Sequence, residues 1–189
     1  MNFLTLFLVL VLTFNQASKA EYNLSVAIFN VQKAEESSTK VSSFRKEIEK
    51  KQKKYQEEIK KMELEISKTT DNLKKKSSAL SSQQLKSEES KIQEEIEKYT
   101  KFIQKINAIF DMVKGYGVSD LNTCLSKDVT SIAKANNVDL VIPSNSVMFA
   151  SDKAKDITQE VIKAFDKSSC KIDSDAYFKK AEKELKDLK

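Results

Sequence analysis

The sequence predicts an α+β protein, predominantly α, in which a long antiparallel helical hairpin stands as a coiled-coil arm on a small β-containing body. Three observations predict it. Two Gly and one Pro among 189 residues leave little room for turns. Apolar residues recur by threes and fours from Val41 to Leu73 and again from Leu85 to Val113, with a polar, Ser-rich stretch between. Short runs rich in β-branched residues, SVAIFNV and DLVIP, lie outside these two segments.

The first element is a twelve-residue apolar run, Phe3 to Phe14, too short to span a bilayer and of the length of a signal-peptide core. Ser18-Lys19-Ala20 then sets small residues where a signal peptidase requires them. Residues 1–20 are therefore expected to be a cleaved signal peptide. The segment before the run carries no Lys or Arg, so an uncleaved membrane anchor is the alternative.

Ser25 to Val31 is expected to form a strand buried on both faces. From about Ala34 the period changes, and Val41, Phe44, Ile48, Tyr55, Ile59, Met62, Ile66 and Leu73 mark one stripe of a long helix. Near residues 76–84 the stripe lapses and the chain turns back. Leu85, Ile92, Ile96, Tyr99, Ile103, Ile106, Phe110 and Val113 then form the stripe of a second helix, packed antiparallel on the first. Forty helical residues rise about 60 Å, so the pair makes an arm longer than a small domain is wide.

Gly115-Tyr116-Gly117 interrupts this pattern, but Leu121, Leu125, Val129 and Ile132 continue it, so either a kink or close-packing joint or a true break is expected there. Asp139 to Pro143 and Val147 to Ala150 read as two strands of a β-hairpin about Ser144-Asn145-Ser146. Asp156 and Gln159 open a further helix with Ile157, Val161, Ile162 and Phe165 on its apolar face. The domain organisation is thus 21–36 and 115–166 for the body, 37–114 for the arm with its tip near 76–84, and 167–189 for a C-terminal extension. In that extension Tyr177, Ala181, Leu185 and Leu188 either lay an amphipathic helix on the body or belong to a disordered tail.

Composition excludes much chemistry. The chain has no His, which removes imidazole acid–base catalysis, His-activated nucleophiles and His-ligated metals, and two distant Cys do not make a four-ligand zinc site. No phosphate-binding loop is present, and no catalytic residue, cofactor site or metal site is expected. The formal charge of +5 could point to nucleic acid, an anionic membrane surface or acidic clients, but most Lys alternate closely with Glu, the pattern of a solvated helix face of mixed charge. No recognised nucleic-acid-binding motif is present and an exported chain seldom meets nucleic acid, so nucleic acid is not an expected partner. Three short strands and one helix are too small a core to carry so long an arm alone, and self-association is the simplest remedy.

VAIFNV directly before a long charged helix, with DLVIPSNSVMFAS and DITQEVIKAF beyond it, resembles the Skp/OmpH family of periplasmic chaperones over Val26 to Phe165. The C-terminal block is the specific part; the arms are similar only in length and period. The resemblance implies a homotrimer with a central β-barrel-like body and three arms enclosing a cavity in which unfolded outer-membrane proteins are held without ATP. By position, Val26, Ile28, Val31, Leu140, Ile142 and Val147 are then trimer-core residues. It also implies a periplasmic address. A secreted or surface coiled-coil structural protein is the alternative; it accounts for the arms but not for DLVIPSNSVMFA.

Two surface features complete the reading. Lys74, Lys75, Lys76 and Lys86, with Lys68, outnumber Asp71 at the distal arm, and either contact anionic lipid headgroups or acidic client segments or simply solvate a helix turn. Cys124 and Cys170 would meet an oxidising compartment after export, where they either pair or remain reduced or intermolecular. The extension that holds Cys170 departs from the family pattern, which ends near Phe165.

Overall fold

A computed structural model describes residues 23–187. The expected signal peptide, residues 1–20, and Leu188 lie outside the described residues. In chain order the elements are β1 (Val26–Phe29), α1 (Val31–Ser37), α2 (Thr39–Lys76), α3 (Ser82–Ala135), β2 (Leu140–Pro143), β3 (Lys155–Asp156), α4 (Thr158–Lys167) and α5 (Ser174–Asp187). The protein is α+β and predominantly α, a helical arm on a small three-stranded sheet.

The arm is α2 and α3, of 38 and 54 residues, or about 57 and 81 Å at 1.5 Å per residue. At the tip a single 3₁₀ turn, Ser77–Ala79, leads to Ser81, which opens α3 with a capping box. The Gln84 amide donates to Ser81 Oγ at 3.3 Å and the Ser81 amide to Gln84 Oε1 at 2.9 Å, so the turn satisfies its own backbone. Between Val41 and Ile106 no side chain is fully buried. Tyr99 ties the helices across this stretch by donating to Glu63 Oε1 at 2.5 Å.

The first arm helix does not run unbroken from the strand. Ser38, in extended conformation, ends α1 and caps α2, its hydroxyl accepting from the Val41 amide at 3.3 Å. A second helix start inside a continuous amphipathic pattern is hidden from periodicity, because a one-residue break shifts the stripe only slightly. At Gly115-Tyr116-Gly117 the opposite holds: α3 passes straight through, and the close-packing joint is real. A Cβ at Gly117 would lie 2.5 Å from Phe44 Cζ, so the missing side chain lets the Phe44 ring reach the α3 backbone.

α3 ends in a Schellman motif. Asn137 takes a positive φ of 51°, the Val138 amide donates to Ala133 O at 2.9 Å and the Asn137 amide to Lys134 O at 3.2 Å. The chain then enters β2, which pairs with β1 in parallel, Val26 beside Leu140 and Ile28 beside Ile142. β3 pairs with the other edge of β1, also in parallel, in the order β2-β1-β3.

The expected β-hairpin is therefore corrected. Residues 147–150 form no strand, and the connection 144–154 carries the chain from one edge of β1 to the other. A strand needs a ladder partner for its backbone groups, and both edges of β1 are taken by β2 and by the two-residue β3. The run Val147 to Ala150 has the composition of a strand, but the 3₁₀ turn Ser144–Ser146 leads it away from the outer edge of β2 and it forms no ladder with that edge.

The body core gathers Ala27 and Phe29 of β1, Leu121 and Leu125 of α3, and Ile157, Val161 and Phe165 around α4. A second core lies at the arm root: Ile106, Ile109, Phe110 and Val113 of α3 against Tyr177, Phe178 and Ala181 of α5, with Phe44 and Tyr55 of α2 packed on it. The C-terminal extension thus contains a helix, and that helix packs along the arm root.

Candidate functional site

Among the described residues the grooves are open rather than enclosed. Among the described residues no group of three His, Cys, Asp or Glu is placed to hold a metal ion, and no helix is long and apolar enough to cross a membrane. The grooves are open ones along the arm, such as that of about 490 Å³ at the tip between Leu73, Lys76, Leu80 and Gln84. What the elements do build is a set of surfaces and the joints that hold them in place.

The sheet supplies the first surface. Along β1 burial alternates: Ala27 and Phe29 point into the body core, and Val26 and Ile28 point away from it, half-buried. Parallel register brings Leu140 and Ile142 beside them on the same outer face, with Leu140 44% exposed. Four of the six residues singled out from sequence, Val26, Ile28, Leu140 and Ile142, therefore share one apolar face. The other two do not join it. Val31 opens α1 and packs against the chain's own body core. Val147 is half-buried just after the 3₁₀ turn Ser144–Ser146, and its neighbours Met148 and Phe149 stand fully and 86% exposed.

The second surface is the distal arm. Lys74, Lys75 and Lys76 form the last turn of α2, where their charges also favour the carbonyl end of the helix. Lys86 lies early in α3 across the turn, and all four are exposed. Leu64, 54% exposed, and Ile96 are apolar side chains left in solvent further down the arm.

Joints fix where the arm leaves the body. Asp166, in the last turn of α4, receives the Ser38 hydroxyl at 2.6 Å and the Thr39 amide at 3.1 Å, so α4 lends a carboxylate to the N-terminus of α2. In return Lys40 Nζ donates to the carbonyls of Ser168 at 2.6 Å and Cys170 at 3.0 Å just past the end of α4. Burial pulls the Asp166 carboxyl up, but the bonds from Ser38, Thr39 and Lys40 outweigh it and hold the group below its ordinary value. On the opposite side Asn136 Nδ2 donates to Glu160 Oε2 at 2.8 Å while Lys155 pairs with Glu160 at 3.1 Å, tying the end of α3 to β3 and α4. Hydrogen bonds from Asn136 and Lys155 hold Glu160 below its ordinary value.

Cys124 of α3 and Cys170, between α4 and α5, are joined as a disulfide with Cα atoms 6.1 Å apart. Closing a loop of 46 residues contributes about 4 kcal/mol in the chain-entropy model. Just beyond it, Tyr177 of α5 donates to Asp120 of α3. Burial, then the bond to Asp120, pushes the Tyr177 hydroxyl up to about 12. Tyr116 donates to Glu184 Oε2 at 2.6 Å, and that bond, with desolvation, pushes it up to about 12 as well. Neither the Asp166–Lys40 exchange nor these tyrosine bonds was visible in the sequence, since each joins residues far apart in the chain. Met148 and Phe149 were visible as an apolar run, but their exposure was not.

This architecture defines a class: a two-helix arm rooted in a small three-stranded sheet, with exposed apolar side chains on the sheet's outer face and a lysine-rich arm tip. The profile of the family described as Outer membrane protein (OmpH-like) matches residues 25–165, and the chain belongs to that family. Among solved structures it is similar to a Caulobacter crescentus protein described as an OmpH-like outer membrane chaperone, with a TM-score of 0.70. The two are 17% identical over 76% of this chain and 84% of that one, a likeness of fold. No curated protein matches the chain.

Proposed function

We propose that the chain is an exported, ATP-independent holdase chaperone that binds unfolded outer-membrane proteins between its arms and keeps them from aggregating in the periplasm. The observation that carries this reading is the outer face of the sheet. Val26, Ile28, Leu140 and Ile142 present apolar surface away from the chain's own core, and Met148 and Phe149 add two more solvent-facing apolar side chains. Copies joined there, as a homotrimer, would set three arms around a common space. Many weak contacts in one enclosure raise the effective concentration of binding groups, so capture is tight yet reversible without a nucleotide. Holding the unfolded chain apart from its copies then lowers the population free to aggregate. An oxidising compartment also suits the Cys124–Cys170 bond.

The test is native mass together with protection. The mature chain is expected at three times its monomer mass, and to suppress aggregation of a urea-unfolded β-barrel protein on dilution. A stable monomer that protects equally well would overturn the reading.

The tip lysines extend it to an anionic membrane surface. Each basic residue close to such a surface contributes about 1 kcal/mol. Replacing Lys74, Lys75 and Lys76 by Gln is therefore expected to weaken binding to vesicles containing anionic lipid by about a hundredfold at low salt. Equal binding by both chains across salt concentrations would remove lipid from the list of partners.

A further inference from the structure

The arm is built in two mechanically different parts. Along most of its length it is a pair of helices with no fully buried side chain between Val41 and Ile106. At its root a third helix, α5, lies along the pair and converts it into a three-helix core. α5 touches both partners. Phe178 meets Phe110 of α3 edge to face at 5.3 Å, and Tyr177 meets Phe44 of α2 at 6.0 Å. Polar ties follow the same division: Asp175 pairs with Lys51 of α2 at 3.0 Å, Tyr177 and Glu184 bond to Asp120 and Tyr116 of α3, and Lys180 sits 4.1 Å over the Tyr116 ring.

The placement of α5 is fixed from below. The disulfide pins Cys170 to α3 at Cys124, leaving three residues before α5 begins at Ser174. From there fourteen residues climb about 21 Å, and Glu182 reaches the level of Tyr55 of α2. Among the described residues no third helix lies on the arm beyond Tyr55 and Phe102. A two-helix segment with only half-buried seam residues opens at lower cost than a three-helix segment with Val113 and Ala181 wholly inside.

We infer that α5 is a brace: it locks α2 and α3 together from the body up to about Tyr55 and Phe102, so that bending and splaying of the arm begin above that level rather than at the body. The inference concerns the arm itself and holds whether or not the arms carry unfolded protein.

Hydrogen exchange of the mature chain, without client, tests it. The full chain is compared with a chain ending at Asp173 and with Phe178→Glu, which keeps the length but puts a charge into the seam. Both variants are expected to exchange residues 44–55 and 105–116 at least tenfold faster, with residues 60–75 and 85–98 unchanged and the body at 26–29 and 157–165 still protected. Unchanged exchange at 44–55 and 105–116 would overturn the brace. Loss of protection in the body as well would also overturn it, because α5 would then be part of one cooperative core with the body.

Discussion

At the scale of single residues the two glycines of α3 make opposite predictions. Apart from its own helix backbone, Gly115 has no heavy atom within 4 Å of where a Cβ would stand, and Gly117 has the Phe44 ring. In an unbroken helix, Gly→Ala contributes about 0.5–1 kcal/mol by restricting the unfolded chain. Gly115→Ala is therefore expected to raise the urea midpoint. Gly117→Ala gains the same term but must push Phe44 from its edge-on seat against Tyr177, and overpacking of that kind costs about 1–3 kcal/mol. Its midpoint is expected to fall. The glycines announced a joint in the sequence; the aromatic that fills it did not, because Phe44 sits on the other arm helix and nothing local links the two.

At the scale of elements, periodicity located both arm helices and the turn between them, since stripes of that length admit one reading. It failed where pairing rather than propensity decides. Val147 to Ala150 has strand composition, but after the 3₁₀ turn Ser144–Ser146 it makes no ladder with β2, and β3 instead pairs with β1. The hold of α4 on α2 was equally hidden, and it carries a prediction. Asp166→Ala removes a charged acceptor from the Ser38 hydroxyl and the first amides of α2, and loss of such a cap costs about 1–3 kcal/mol. The folded-state pKa of Asp166 lies below its unfolded value of 3.8. Its contribution is therefore present above pH 3.8 and lost as the pH falls through the lowered folded value. The wild-type chain is expected to lose more stability than Asp166→Ala on acidification below about pH 4. Denaturation midpoints of the two chains across that range measure the difference, which should shrink toward zero at the acid end.

At the scale of the whole molecule, the alternation along β1 separates folding from assembly. Ala27 is wholly buried and Ile28, the next residue, points to the outer face beside Ile142. A carboxylate at either position meets a different medium. Ala27→Asp forces a charge into the body core without a partner, which costs several kcal/mol and is expected to unfold the body. Ile28→Asp places its charge on the half-buried outer face, beside Asp156 of β3, where water still reaches it in a single chain, so the monomer is expected to lose some stability but to keep its helices and its disulfide. In an assembly joined through that face, the same carboxylate would be desolvated once per copy around the axis, and like charges would oppose one another. If the proposed trimer forms through this face, Ile28→Asp is expected to leave the far-UV circular dichroism intact while native mass falls to that of the monomer. Its thermal midpoint should also lose the dependence on protein concentration that mass action gives an oligomer. A trimer that survives Ile28→Asp would move the contact off the sheet, to the segment carrying Met148 and Phe149 or to the arms.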